Sequence, residues 1–144
     1  MNGEHNHIIN ASSKKQQFGQ FFTTNQEYIL QGMEIPCFVK NIIEPFAGNG
    51  DLLEFIEKNS KQNNIKYNIE CFDIDPKKNF IILKDTIAEP PNYNNAFIIT
   101  NPPYLARNKS NNKMLFDKYD VNDLYKCCDR RNKFLYQWKI IWKL

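Results

Sequence analysis

The sequence predicts an α/β fold built on a parallel, doubly wound sheet. Short apolar runs of strand length alternate with segments of helical spacing, an alternation that is typical of strand–helix–strand units. The chain has 144 residues, of which 42% are hydrophobic. That size and composition suit one small domain with a buried core and room for about four strand–helix units.

Four strands are predicted from apolar runs that end at turn-forming residues. Residues 88–95 carry a Pro-Pro pair between the last two runs and are predicted to form a loop. The predicted strands are Asn41–Phe46, Ile69–Ile74, Phe80–Leu83 and Ala96–Thr100.

Helices are predicted where apolar residues recur at helical spacing. One covers Asn25–Met33, one runs from Leu52 to about Asn59, and one runs from Met114 to about Cys127, after a polar loop at residues 105–113. At the start of the second helix, Asp51 and Glu54 have the spacing of a capping box, in which each side chain bonds a free amide of the first turn.

Charge and cysteine usage limit the function classes. The net charge of +3 is too small to indicate a nucleic-acid partner, but residues 105–144 hold ten Lys and Arg against four Asp and Glu. This asymmetry is weak support for a polyanionic partner. The four cysteines include no C-x-x-C pair and the two histidines lie near the amino terminus, so no zinc site is expected. We predict a soluble, cytoplasmic protein with reduced thiols and no membrane association.

The loop after the first predicted strand has the sequence EPFAGNGD, from Glu44 to Asp51. Its two glycines, Gly48 and Gly50, allow a sharp turn and a close approach of the backbone to a ligand. There is no third glycine at the dinucleotide spacing, which disfavours NAD. Taken alone, the pattern fits a tight turn better than a nucleotide site.

Acidic residues follow the next two predicted strands. Asp73 comes 23 residues after Gly50, close to the offset at which a carboxylate binds ribose hydroxyls in Rossmann-like units. The adjacent Ile74 could offer an apolar face to an adenine ring. Asp85 could accept a hydrogen bond from a nucleoside amine, although a turn aspartate is the simpler explanation.

The fourth predicted strand ends in Asn101-Pro102-Pro103-Tyr104. Two prolines make the loop rigid and donate no amide hydrogen, so the Asn101 side-chain oxygen and the Pro102 carbonyl can accept both hydrogens of an amino group. Tyr104 can stack on a planar ring. These groups suit methylation of an aromatic amine, which needs positioning more than a strong base. An ordinary proline turn is the less favoured interpretation.

In a doubly wound sheet the first and fourth strands are neighbours, and ligands bind beyond their carboxyl ends. The glycine loop and the Asn-Pro-Pro-Tyr loop leave those two strands. Their joint occurrence is therefore far more informative than either loop alone.

These motifs together resemble the DNA amino-methyltransferases, specifically the adenine-N6 enzymes of restriction–modification systems whose cofactor motifs are amino-terminal. GQFFT at 19–23, EPFAGNG at 44–50 and NPPY at 101–104 carry the resemblance, which covers about residues 18–125. It implies a Rossmann-like doubly wound methyltransferase fold, S-adenosyl-L-methionine as cofactor, and double-stranded DNA with a flipped adenine as substrate.

The resemblance also implies roles for individual residues. Asn101 and Pro102 would hold the target amino group while Tyr104 stacks on the flipped base, and Pro103 would lie against the cofactor. Thr24 stands where the family usually has proline, next to the cofactor residue Thr23. The implied catalytic residues are Asn101, Pro102, Pro103 and Tyr104; the implied cofactor-binding residues are Thr23, Glu44, Phe46, Gly48, Gly50, Asp73, Ile74, Asp85 and Pro103.

Such enzymes complete a seven-stranded sheet and add a target-recognition domain. We therefore expect a truncated product with a shifted reading frame after about residue 126, whose partners would be a missing target-recognition region or a cognate restriction endonuclease. On this interpretation residues 1–17 are a flexible arm, residues 18–126 the partial core, and residues 127–144 an atypical tail. The plainer expectation for Trp138 and Trp142 in that tail is an amphipathic final helix.

Two alternatives remain open. A protein N5-glutamine methyltransferase or an RNA adenine methyltransferase uses the same loop on the same type of sheet. A truncated remnant could also bind the cofactor without catalysing transfer.

Overall fold

The computed structural model describes residue 30, residues 32–131 and residues 138–140. They belong to two compact units. The sheet unit comprises residues 30, 32–102 and 138–140, and the helical unit comprises residues 103–131. The predicted arm, the GQFFT segment with Thr23, most of the predicted helix Asn25–Met33, and Trp142 lie outside the described residues.

The sheet unit is α/β and its strands are all parallel. They are β1 (Asn41–Glu44), β2 (Asn68–Asp73), β3 (Ile82–Leu83), β4 (Ala96–Thr100) and β5 (Trp138–Ile140). The strand order is β3-β2-β1-β4-β5, and each of the four pairings is parallel. This order is compatible with the predicted doubly wound sheet, which starts at its centre and returns to the other side of the first strand.

Helix α1, Asp51–Asn63, connects β1 to β2 and packs on one face of the sheet. Its buried Leu52 and Ile56 belong to a core cluster with Ile42 of β1 and Ile99 of β4. Side chains alternate along a strand, so the next residues of β1 and β4 point to the other face. That face carries a second cluster, which consists of Ile43, Phe72, Tyr93, Ala96 and Ile98.

Most of the predicted strands are confirmed. Strand β4 spans the predicted residues, residues 88–95 form no helix or strand, and β1 and β2 overlap their predictions closely. Strand β3 is shorter than predicted, because a turn precedes it in which the Ile81 amide donates to the Lys78 carbonyl at 3.1 Å. The predicted start of this strand at Phe80 is therefore wrong.

The capping box predicted at the start of α1 is also wrong. Gly50 is the amino-terminal cap in a left-handed conformation with φ 76°, and no side chain caps the helix. Asp51 is instead the first helical residue, where a carboxylate still interacts favourably with the helix dipole. The helix runs one turn further than predicted, to a left-handed Asn64 with φ 52°.

The helical unit contains a short 3₁₀ helix at Arg107–Lys109, helix α2 at Met114–Tyr119 and helix α3 at Leu124–Arg131. The prediction of one continuous helix to Cys127 is wrong. Asp120 adopts a left-handed conformation with φ 51°, and the Val121 amide bonds the Phe116 carbonyl at 3.0 Å. This arrangement closes α2 in the manner of a Schellman motif.

The prediction of a final helix is wrong at Trp138. This residue begins strand β5 and pairs in parallel with Ile98 of β4. A tail residue thus extends the sheet instead of covering it. Among the described residues, no helix is long and apolar enough to cross a membrane.

The burial of α1 predicts how the fold responds to a truncated side chain. Ile56 is fully buried, so Ile56→Ala should lower the free energy of unfolding by about 2–5 kcal/mol, measured by urea denaturation. Glu57→Ala, an exposed change on the same helix, should shift it by less than about 0.5 kcal/mol. Equal effects of the two changes would contradict this account of the core.

Candidate functional site

The carboxyl ends of β1 and β4 define the candidate site. The two strands pair in parallel with Ile43 opposite Ile98, so the residues that follow them leave the sheet at the same edge. The glycine loop follows β1, and Asn101 and Pro102 follow β4. The predicted adjacency of the two strands that these loops follow is therefore present in the sheet unit.

The glycine loop is a hydrogen-bonded turn. Gly48 and Gly50 both have positive φ, 56° and 76°, a conformation that side chains with a Cβ rarely adopt. The Ala47 amide donates to the Phe72 carbonyl at 2.8 Å, and the Gly50 amide donates to the Ala47 carbonyl at 2.7 Å. These bonds tie the loop to β2 on one side and to the start of α1 on the other.

Asp73 links the end of β2 to the glycine loop. Its Oδ2 accepts a hydrogen bond from the Gly48 amide at 2.8 Å, and its Oδ1 accepts one from the Asp75 amide at 2.8 Å. The side chain is buried. A carboxylate offers about four acceptor positions, and ribose hydroxyls are the ligands that the sequence predicts for this one.

Glu44 is a buried carboxyl group at the end of β1. Its Oε2 has no hydrogen-bond partner among the described residues, and the residue is only 1% exposed. Burial raises the pKa of Glu44 well above its ordinary value of 4.5, and the nearby carboxylates of Asp51 and Asp73 raise it further. Burial likewise raises the pKa of Asp51, against a lowering by Lys78. The site therefore concentrates acidic groups that a cationic ligand would stabilise in their charged form.

Asp85 has the geometry of a turn aspartate. Its Oδ1 accepts from the amides of Ile87 at 3.1 Å and Ala88 at 2.9 Å. Its Oδ2 takes part in neither bond, and the residue is exposed. The next residue, Thr86, is buried, and its hydroxyl donates to the Pro45 carbonyl at 2.9 Å. This bond ties the segment after β3 to the glycine loop.

An aromatic ring lies against the glycine turn. A Cβ placed on Gly50 would be 3.3 Å from Phe80 Cζ and 3.3 Å from Leu53 Cδ1. Phe80 is 54% exposed, and Ile74 at the end of β2 is 41% exposed. Ile74 therefore presents an accessible apolar surface where the sequence predicts an adenine contact. Phe46, another predicted cofactor-binding residue, is half-buried.

The Asn-Pro-Pro-Tyr loop is divided between the two units. Asn101 and Pro102 end the sheet part: Pro102 is buried, and the Asn101 side-chain oxygen is buried too. An incoming amino group therefore reaches that oxygen only after a rotamer change or a local movement. Pro103 and Tyr104 belong to the helical unit, where the Tyr104 ring contacts that of Tyr125 with centroids 5.7 Å apart.

Sequence reasoning missed Phe80, Thr86 and Thr100 as parts of this region. The sequence predicts Phe80 as a strand residue, and only its proximity to Gly50 reveals its position. The Thr100 hydroxyl is buried without a hydrogen-bond partner among the described residues, directly before Asn101. No local sequence signal marks these three residues.

Comparisons with known proteins leave the family open. No model of a known protein family matches the chain, and no curated protein matches it. The described residues also contain no group of three or more His, Cys, Asp or Glu that could hold a metal ion.

The buried Glu44 predicts a pH dependence of stability. The unfolded chain ionises Glu44 near pH 4.5 whereas the folded protein keeps it protonated, so the unfolded state binds fewer protons above that pH. The free energy of unfolding should then fall as the pH rises from 4.5 towards the raised native pKa. Glu44→Gln removes this contribution, so the variant should gain stability relative to the unsubstituted protein across that range.

Urea denaturation between pH 4.5 and 8 measures the difference. Glu57→Gln, an exposed change on α1, serves as the control and should show no such trend. If the free energy of unfolding of Glu44→Gln differs from that of the unsubstituted protein by the same amount at every pH, Glu44 is not a buried group with a raised pKa.

The two hydrogen bonds that Asp73 accepts from the Gly48 and Asp75 amides should contribute to the free energy of unfolding. Asp73→Asn replaces one acceptor oxygen by an NH2 group, which cannot accept from either backbone amide. We expect a loss of about 1–3 kcal/mol in the free energy of unfolding, with faster hydrogen exchange at whichever of the Gly48 and Asp75 amides loses its acceptor. Glu70→Gln, an exposed change in the same strand, should leave both measurements unchanged; an equal loss there would show that the Gly48 bond is not the cause.

Proposed function

We propose that the chain is an S-adenosylmethionine-dependent methyltransferase that acts on the N6 amino group of an adenine flipped out of DNA. The parallel pairing of β1 with β4 is the observation that carries this proposal. Methyl transfer requires a donor and an acceptor within bonding reach. Two loops that leave neighbouring strands at one sheet edge meet this requirement, since one can hold the cofactor and the other the target base.

The residues around the glycine loop suit this cofactor. Gly48 and Gly50 form the turn, and the buried Oε2 of Glu44 lies among further carboxyl groups. The cofactor carries a positive sulfonium and a positive amino group, which this acidic cluster would attract. Asp73 would bind the ribose hydroxyls, Ile74 the adenine face and Asp85 its amino group, as the resemblance implies.

When bound, S-adenosylmethionine supplies an electrophilic methyl group. The side-chain oxygen of Asn101 and the carbonyl of Pro102 would accept both hydrogens of the adenine amino group and hold its nitrogen in place. These two acceptors would favour a tetrahedral nitrogen whose lone pair points out of the ring conjugation towards the methyl donor, and one proton of the amino group would be lost to solvent when its nitrogen is methylated. The gain comes from preorganised dipoles, and Tyr104 would fix the plane of the base by stacking.

The sequence supports DNA adenine as the target over the alternatives through its GQFFT and EPFAGNG segments, which match the DNA enzymes. A restriction–modification role, with a target-recognition region or an endonuclease as partner, belongs to the same proposal. A cofactor-binding remnant without activity is the competing outcome.

Calorimetry and a methylation assay test the proposal. The full chain should bind S-adenosylmethionine, and transfer of labelled methyl groups should occur to duplex DNA rather than to ribosomal RNA or a glutamine-bearing release factor. Asp73→Asn should weaken cofactor binding about tenfold or more, the range for a lost bond to a charged group. Binding without transfer to any of the three substrates would favour the remnant, and absence of binding would end the proposal.

Asn101→Ala separates catalysis from cofactor binding. It should lower methyl transfer by about 100-fold or more, the usual effect of removing one preorganised polar partner, while cofactor affinity changes little. Asn94→Ala, an exposed change before β4, is the matched control. If the two variants transfer methyl groups equally well, Asn101 does not hold the acceptor.

A further inference from the structure

The helical unit contains a polar cavity that the proposed chemistry does not use. Its volume is about 540 Å³. The lining combines one alanine, two cationic side chains, two amide side chains and one carboxylate: Ala106, Arg107, Asn108, Lys113, Asn122 and Asp123. Guanidinium, ammonium and amide groups are the donors that proteins use for phosphate oxygens.

Backbone bonds hold two sides of this cavity together. The Arg107 amide donates to the Asn122 carbonyl at 2.8 Å, and the Leu124 amide donates to the Leu105 carbonyl at 2.9 Å. Between them Ala106 forms an antiparallel bridge with Asp123. The Arg107 side chain therefore projects from a segment that is fixed by two hydrogen bonds rather than from a free loop.

A neighbouring carboxylate balances one of the cations. Arg107 forms an ion pair with Asp117, and both side chains are substantially exposed, at 40% and 57%. Arginine has five donor hydrogens, so the pair leaves donors for a second anion. Lys113 is exposed on the cavity wall and no ion pair is found for it among the described residues. Asp117 therefore competes with any anion for Arg107.

From this arrangement we infer that the cavity binds a backbone phosphate of DNA, through Arg107 and Lys113 as the charged partners and Asn108 and Asn122 as amide donors. The choice of DNA rests on the proposed function. Tyr104, the proposed stacking residue, belongs to the same compact unit and contacts Tyr125 of α3. A phosphate held in this unit would anchor the strand from which the base is flipped.

Fluorescence anisotropy with a labelled DNA duplex, over a range of salt concentrations and without cofactor, tests the inference on the full chain. Lys113→Gln should weaken binding about fivefold, the upper range for one exposed charge pair, and reduce the slope of log affinity against log salt by about 0.9. Arg107→Gln should act in the same direction. Asp117→Asn should tighten binding, because it releases Arg107.

Two controls match these variants in charge. Lys66→Gln removes an exposed cation that precedes β2 in the sheet unit, and it should change affinity and salt slope little. Asp120→Asn makes the same charge change as Asp117→Asn and suits the left-handed backbone there, with φ 51°, because asparagine tolerates that conformation. It should tighten binding less than Asp117→Asn.

Equal losses in Lys113→Gln and Lys66→Gln, or no binding of DNA at all, would overturn the inference. The same variant pattern with tighter binding of an RNA duplex would overturn its assignment to DNA. The proposed function fails separately, because it requires cofactor binding and methyl transfer: a chain that binds DNA through Lys113 but not S-adenosylmethionine would keep the phosphate site and lose the methyltransferase.

Discussion

The parallel pairing of β1 with β4 is the constraint on which the candidate site depends. Both strands are buried on both faces, through residues such as Ile42 and Ile43 in β1 and Ile98 and Ile99 in β4. Their backbone amides and carbonyls cannot reach water and must bond to one another. A slip of one residue would exchange the side chains of the two faces. Burial therefore fixes the register, and the register brings the two loops to one edge of the sheet.

The buried carboxyl groups at this site are electrostatically unfavourable for the folded protein. The buried Oε2 of Glu44 has no hydrogen-bond partner among the described residues, and the carboxyl groups of Asp51 and Asp73 are near. An arrangement selected for stability alone would replace Glu44 by an apolar residue, since an unsatisfied buried carboxyl group costs free energy. Perturbed acidic groups of this kind concentrate at functional sites, and a cationic ligand would turn the unfavourable cluster into a favourable one.

Local sequence predicts the parts of this structure that local forces determine. Ala96–Thr100 is a short buried run bounded by a proline loop, and the observed β4 has the same residues. The bond between Asp73 and Gly48 spans 25 residues, and the contact of Phe80 with Gly50 spans 30 residues (80 − 50), so neither leaves a local pattern. Strand β5 is three residues long and exists through its pairing with β4. The break at Asp120 depends on a left-handed conformation that aspartate adopts only occasionally.

The distribution of charge divides the proposed tasks between two parts of the chain. The first 104 residues hold nine basic and twelve acidic residues, whereas residues 105–144 hold ten and four. Carboxylates around the glycine loop would attract a cationic cofactor and repel phosphate, while Arg107 and Lys113 in the cavity would offer cationic donors to phosphate oxygens. Like-charge repulsion then works against phosphate at the glycine loop. Selectivity of this kind needs no sequence-reading contact, so it would not determine which adenine of a DNA substrate is chosen.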